Sequence, residues 1–274
     1  MHLTLGSLPR HLVALLILPI AFTAACGESD APPVWNLVWA DEFEGPAGQL
    51  PDPARWGFDV GTGWGNQQLE WDTDRPENAS LDGNGNLAIT AREELFMGQP
   101  YTSARITTAG KLEQAYGKFE ARIRLPVGQG YWPAFWLLGA DIETVGWPGT
   151  GEIDVMEYRG QEPNVLLGSV HGPGYSGGES ITSRYELLDG RFDTGFHVFG
   201  IEWEPDEIRW YVDGQVYHRV TQATVRERGE WVFDHPFYII LNVAIGGTFV
   251  GPPNADTRFP QSMLVDWVRV YEAG

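Results

Sequence analysis

Cysteine is nearly absent from this chain: among 274 residues there is one, Cys26. A single thiol excludes an intramolecular disulfide and a cysteine-built zinc centre, so packing must hold the fold, with or without a bound metal. Lysine is almost as scarce. Only Lys111 and Lys118 among the 18 basic residues are lysines, against 37 acidic residues, and the formal net charge is -19. A surface of that sign repels polyanions, which excludes nucleic acid as a partner and fits a neutral one. Solubility accounts for the acidity, with tolerance of high salt as the sharper reading.

Apolar runs long enough to cross a bilayer, ~20 residues, are also missing. The run LVALLILPIAFTAA, residues 12–25, is shorter and follows Arg10 and His11, the pattern of an export signal. Cys26 ends it in TAACG, which resembles a bacterial lipoprotein cleavage site, where the cysteine becomes the lipidated first residue. The leucine usual three positions earlier is here Thr23. We therefore expect a lipoprotein-type signal peptide over 1–25, a polar tether over 26–33 and one domain over 34–274. An exported protein follows, either a cell-envelope lipoprotein anchored through Cys26 or a secreted one.

Helical periodicity is lacking beyond Val34; short alternating or apolar runs are separated by Gly, Pro, Asn and Asp. In YGKFEARIRLP, residues 116–126, Phe119, Ala121, Ile123 and Leu125 share one face and Lys118, Glu120, Arg122 and Arg124 the other, as in a half-buried strand. IEWEPDEIRWYVDGQVYHRV, residues 201–220, holds two turn signals between alternating runs and predicts a three-stranded meander. Further strands are expected at 37–43, 86–92, 102–108, 132–138, 151–158, 165–171, 237–245 and 263–272. So many strands in one domain require two packed sheets or a barrel, and the long apolar FYIILNVAIG (237–246) favours an all-β sandwich.

Within the expected strand GEIDVMEYRG, residues 151–160, stand three carboxylates, Glu152, Asp154 and Glu157. Strand alternation puts Glu152 and Asp154 on one face and Glu157 on the other. One extra residue in a β-bulge, Met156 or its neighbour, restores the parity. The two glutamates then stand about 13 Å apart at Cα, and converging side chains bring the carboxyls to ~5–6 Å, near the ~5–5.5 Å of retaining glycoside hydrolases. A solvated acidic face or a metal site satisfies the same spacing. Twelve tryptophans are present. Trp39, Trp203, Trp210 and Trp267 lie in strand patterns and read as core, whereas Trp64, Trp132 and Trp147 lie in glycine-rich or loop-like contexts and suit a sugar cleft.

GEIDVMEY, preceded by GYWPAFWLLG and followed by HGPG, resembles glycoside hydrolase family 16, and in particular its bacterial endo-1,3-β-glucanases, the laminarinases. VWADEFEG, GWGNQQLEWDT, YTSARITTAGK, WYVDGQ, ILNVAIGG and MLVDWVRVYE extend the resemblance from about Val34 to Tyr271. It implies a β-jelly-roll sandwich of two antiparallel sheets with a concave glycan cleft. It also implies retaining endo-hydrolysis of β-1,3 bonds in laminarin-like β-glucans, with 1,3-1,4-β-glucan as a further substrate. Carried over, Glu152 is the nucleophile, Glu157 the general acid/base and Asp154 the helper between them. Asn66, Arg105, Trp132, Trp136 and His171 match sugar-subsite positions. Glu42, Gly83 and Asp266 match the ligands of a structural calcium; no cofactor is implied for catalysis. A monomer acting on β-glucan polysaccharide is expected. The alternatives on the same fold are a noncatalytic β-glucan-binding protein and a transglycosylase.

Two motif matches lead elsewhere. GYSGG, residues 174–178, fits G-x-S-x-G but lacks the strand-to-helix turn of a serine-hydrolase elbow. DGNGNLAITARE, residues 82–93, has calcium-loop spacing, but Leu87 replaces the required glycine, so it reads as a hairpin turn. With no H-E-x-x-H and no phosphate loop, redox and nucleotide chemistry have no support.

Overall fold

A computed structural model describes residues 1–2 and 34–274. The apolar run 12–25, Cys26 and the tether 26–33 lie outside the described residues. Val34–Gly274 forms one compact unit. Its first strands are β1 (Trp35–Asp41), β2 (Gly57–Phe58), β3 (Glu70–Asp72), β4 (Ala79–Leu81), β5 (Leu87–Phe96), β6 (Gln99–Ser103), β7 (Arg105–Thr107), β8 (Gly117–Arg124) and β9 (Tyr131–Gly139). After them come β10 (Glu152–Tyr158), β11 (Val165–His171), β12 (Ile181–Glu186), β13 (His197–Glu204), β14 (Glu207–Val212), β15 (Gln215–Thr221), β16 (Phe237–Ile245) and β17 (Gln261–Ala273). The α-helices α1 (Ile142–Val145), α2 (Gln222–Arg226) and α3 (Gly247–Val250) are about one turn each.

Two sheets stack as a sandwich. One runs β15-β14-β13-β8-β17-β5-β6-β3, with β1 on β17 and β4 on β5; the other runs β12-β11-β10-β9-β16-β7-β2. Pairing is antiparallel except between β3 and β6, where a long connection through β4 and β5 lets the chain return in the same direction. The expected meander forms as β13, β14 and β15. Asp213 and Gly214 both take positive φ in its second turn, which the Asp-Gly pair accommodates and the twist of a two-residue hairpin demands. The two- and three-residue β2, β3 and β4 were not expected, because so few residues carry no readable alternation; the six-residue β12, with Ile181, Ser183 and Tyr185 half-buried and the residues between them exposed, was not expected either.

β16 explains its own composition. Its odd-numbered residues, Phe237 through Ile245, enter the main core between the sheets, while Tyr238 and Ile240 pack with Leu138 and Trp136 on the outer face, and Ala244 packs with Trp132. A strand covered on both sides reads as a continuous apolar run. Trp203 lies at the centre of the core, with ring contacts to Tyr116, Phe119 and Phe237. Its indole donates to the Phe233 carbonyl at 3.1 Å, and truncating it to alanine costs about 3–5 kcal/mol.

Candidate active site

The outer face of the seven-stranded sheet carries rows of side chains that cross the strands. One row places Leu167, Glu157, Ala134, Asn242 and Arg105 on successive strands. A second places Ser169, Asp154 and Trp136 side by side, and a third His171, Glu152 and Leu138. All of these line a cleft of about 910 Å³ whose long axis crosses the strands.

All three acids reach that face because β10 bulges. Against β9, Glu152 pairs with Leu138 and Glu157 with Ala134, so six residues of β10 face five of β9, the shift falling between Asp154 and Met156. Val155 and Met156 both turn into the core, as a residue inserted into one strand allows. The bulge expected from parity is present, and it leaves the glutamates four ladder positions apart on β9. Across from it on β11, Gly168 has no side chain for a reason: a Cβ there would lie 2.4 Å from the Tyr217 hydroxyl and 2.6 Å from the Trp210 ring.

Each glutamate has an indole donor. Trp147 Nε1 donates to Glu152 Oε2 at 3.0 Å and Trp132 Nε1 to Glu157 Oε1 at 3.1 Å. His171 Nε2 lies 3.0 Å from Asp154 Oδ2 and 3.7 Å from Glu152 Oε1. The backbone N–H of Gly177 donates to His171 Nδ1 at 3.0 Å, which leaves Nε2 to carry the proton of a neutral ring. GYSGG thus has a place in the site, through a backbone amide and not its serine.

Burial drives the electrostatics. Glu152 and Glu157 are each pushed up to about 8 by burial first and the neighbouring Asp154 charge second. Burial also raises Asp154 to about 8, against a hydrogen bond with Glu152. The cluster titrates as a unit and retains protons at neutral pH. An indole N–H and His171 act against the rise at both glutamates, and Arg159 acts further on Glu157; Glu152 differs in having Asp154 close enough to share a proton with it.

The other expected residues fall into three groups. Trp132, Trp136 and His171 line the cleft beside the acids, and Asn66 lines it with left-handed backbone at φ 52°. Arg105 does two things: its Nε donates to Asp59 Oδ2 at 2.9 Å, and its guanidinium lies 4.8 Å from the Trp136 ring and 5.0 Å from the Trp64 ring. Glu42, Gly83 and Asp266 lie away from the cleft. Both Glu42 oxygens accept from Arg269 and Asp266 pairs with Arg122, so arginine already balances the two carboxylates a calcium ion would need; Gly83 occupies the β4–β5 turn with φ 79°. As arranged, this donor set does not fit a cation. Trp64 and Trp147 join the cleft as their glycine-rich contexts implied, while Phe249, Arg159 and Asn242 were not singled out. Phe249 lies between the Trp132 ring, 4.8 Å away, and the Arg159 guanidinium, 4.2 Å away. No local sequence signal marks that stack, whose members come from three separate segments.

Residues 65–269 match the model of glycosyl hydrolases family 16. A β-glucanase of Rhodothermus marinus is 45% identical over 253 residues, spanning 89% of this chain and 87% of the relative. Among solved structures, the laminarinase catalytic domain of Thermotoga maritima MSB8 is 49% identical, with a TM-score of 0.83 and coverage of 88% of this chain and 99% of that one. The endo-β-1,3-glucanase of Pyrococcus furiosus gives the same identity and TM-score, covering 88% and 96%.

Proposed function

The chain belongs to glycosyl hydrolases family 16, and on that footing we propose that Glu152 and Glu157 carry out a double displacement on a β-glucan bound across the strands. It is an endo-acting hydrolase of β-1,3-glucan, a neutral polymer compatible with a net charge of -19. One observation carries the choice of these two glutamates as the catalytic pair: the β10 bulge brings both to the cleft face, each against its own indole donor.

In the first step Glu152 attacks the anomeric carbon while Glu157 gives its proton to the departing glycosidic oxygen, leaving a glycosyl ester on Glu152. Glu157, now a carboxylate, takes a proton from water, which attacks the same carbon and releases Glu152. Two inversions leave the anomeric configuration retained. Asp154 carries the proton that Glu152 sheds when it ionises, and His171 stands beside both carboxyls. Trp136 and Trp147 offer ring faces to sugars on either side of the acids.

Export as a lipoprotein through Cys26, or by simple secretion, is also proposed on sequence pattern alone, and a monomeric state is proposed with it. The functional test is reducing-end release from laminarin by residues 27–274 beside the Glu152→Gln variant, with mixed-linkage β-glucan and agarose as controls. Release by the wild type only is expected. Appreciable turnover by a folded Glu152→Gln protein would remove Glu152 from its role.

A further inference from the structure

β3 carries two carboxylates that the reaction does not use. Glu70 and Asp72, two positions apart and so on one face of the strand, are 1% and 2% exposed. Glu70 Oε2 accepts from the Ile245 backbone N–H at 2.7 Å, and Asp72 Oδ2 accepts from Trp64 Nε1 at 2.8 Å. Asp72 Oδ1, equally buried, has no partner among the described residues. Such a pair inside a protein is costly unless it supports something else.

What it supports is Trp64. That indole is 39% exposed and lines the cleft at the β7 end, beyond Arg105. Its segment is irregular, with positive φ at Gly63, Gly65, Asn66 and Gln67, so no strand ladder holds the ring. Asp72 ties it from beneath and the Arg105 guanidinium from the side. By register Arg105 stands three strands from Glu157, roughly 14 Å at ~4.8 Å per strand. A glucan lying along the row reaches Trp64 several sugars from the bond being cut.

We propose that Asp72 is a positioning residue for substrate: it fixes Trp64 as a sugar-stacking platform at the far end of the cleft, and Glu70 beside it makes that hold depend on pH. The inference rests on the glucanase reading above. The groups facing the pair are Tyr101 on β6, opposite Glu70 in register, Arg105 on β7 and Asp59 just after β2; β16 contributes only backbone. Burial pushes Glu70 up to about 7, and burial together with the Glu70 charge raises Asp72 well above the usual carboxylate range. Below these raised values the pair keeps a proton; above them a second buried charge appears, and the segment bearing Trp64 yields to admit water. Affinity for long glucans then falls toward alkaline pH without a matching change in kcat.

The experiment measures kcat and KM on laminarin across pH for the full chain and for Asp72→Ala, Asp72→Asn and Glu70→Gln, with tryptophan-fluorescence titration by laminarin as a turnover-free readout of affinity. Losing the anchoring hydrogen bond in Asp72→Ala raises KM roughly five- to tenfold at neutral pH, with kcat within about twofold. Asp72→Asn, which keeps an acceptor for the indole, restores KM, and Glu70→Gln flattens its alkaline rise. A wild-type KM and titration in Asp72→Ala, or an Asp72→Asn protein no better than Asp72→Ala, overturns the positioning role. An unaltered pH dependence in Glu70→Gln overturns the switch. Failure of the wild type to cut laminarin counts against the glucanase reading instead, and the titration still decides this one.

Discussion

Trp210 Nε1 donates a 2.8 Å hydrogen bond to the main-chain carbonyl of Asp154, across the core from one sheet to the other. The carbonyl lies where the bulge interrupts the β10 ladder, and bulges leave backbone groups unpaired. A fully buried indole supplies the missing donor. The catalytic strand is therefore shaped in part by a residue on the opposite sheet.

Trp210→Phe keeps most of the ring volume and removes the donor. Leaving that buried carbonyl unsatisfied should cost about 1–3 kcal/mol in urea unfolding, and the relaxed bulge should lower kcat by roughly ten- to a hundredfold. An unchanged kcat would mean that the bulge keeps its shape without the bond.

Glu157→Ala should lose on the order of 10²–10⁴ in kcat on laminarin. With an aryl laminari-oligosaccharide, whose leaving group needs no proton, added azide should restore turnover by attacking the glycosyl ester. The azide product should have the β configuration, since Glu152 still makes the first displacement. Product analysis by NMR decides it: an α-azide would exchange the roles assigned to the two glutamates.

The raised carboxyls set a pH dependence with a definite sign. Activity should fall as pH rises through about 8, where Glu157 gives up its proton. Stability follows the same direction. Asp154 sits at about 8 in the fold and near 3.9 when unfolded, so between those values the native state binds more protons and its stability declines as pH rises. Asp154→Asn should therefore melt higher than the wild type at pH 8, by several degrees at ~2–4 °C per kcal/mol, while its kcat drops. The gap should close near pH 4; a constant gap would deny the linkage.

Arg105→Lys keeps a positive charge beside Asp59 but loses the planar group between Trp64 and Trp136. Lysine does not replace a stacked guanidinium. KM on laminarin should rise severalfold with little change in kcat, measured by steady-state kinetics; an unchanged KM would reduce Arg105 to a partner of Asp59.

The sequence by itself determined the all-β class, the meander at β13–β15 and the place of the acids. These rest on local regularities: a period of two, an Asp-Gly turn, and a parity mismatch between Glu152 and Glu157 that a bulge alone resolves. It also marked Trp64 and Trp147 by their glycine-rich surroundings. Tertiary structure decided which groups make the site work. The Gly177 amide on His171, Trp210 on the Asp154 carbonyl, the Arg159–Phe249–Trp132 stack and the Glu70–Asp72 pair beneath Trp64 all join residues distant in the chain or facing one another only once the strands pair. The pKa shifts belong to the same group, because desolvation depends on what covers a carboxyl in three dimensions, and EIDVME as a string carries no record of that cover.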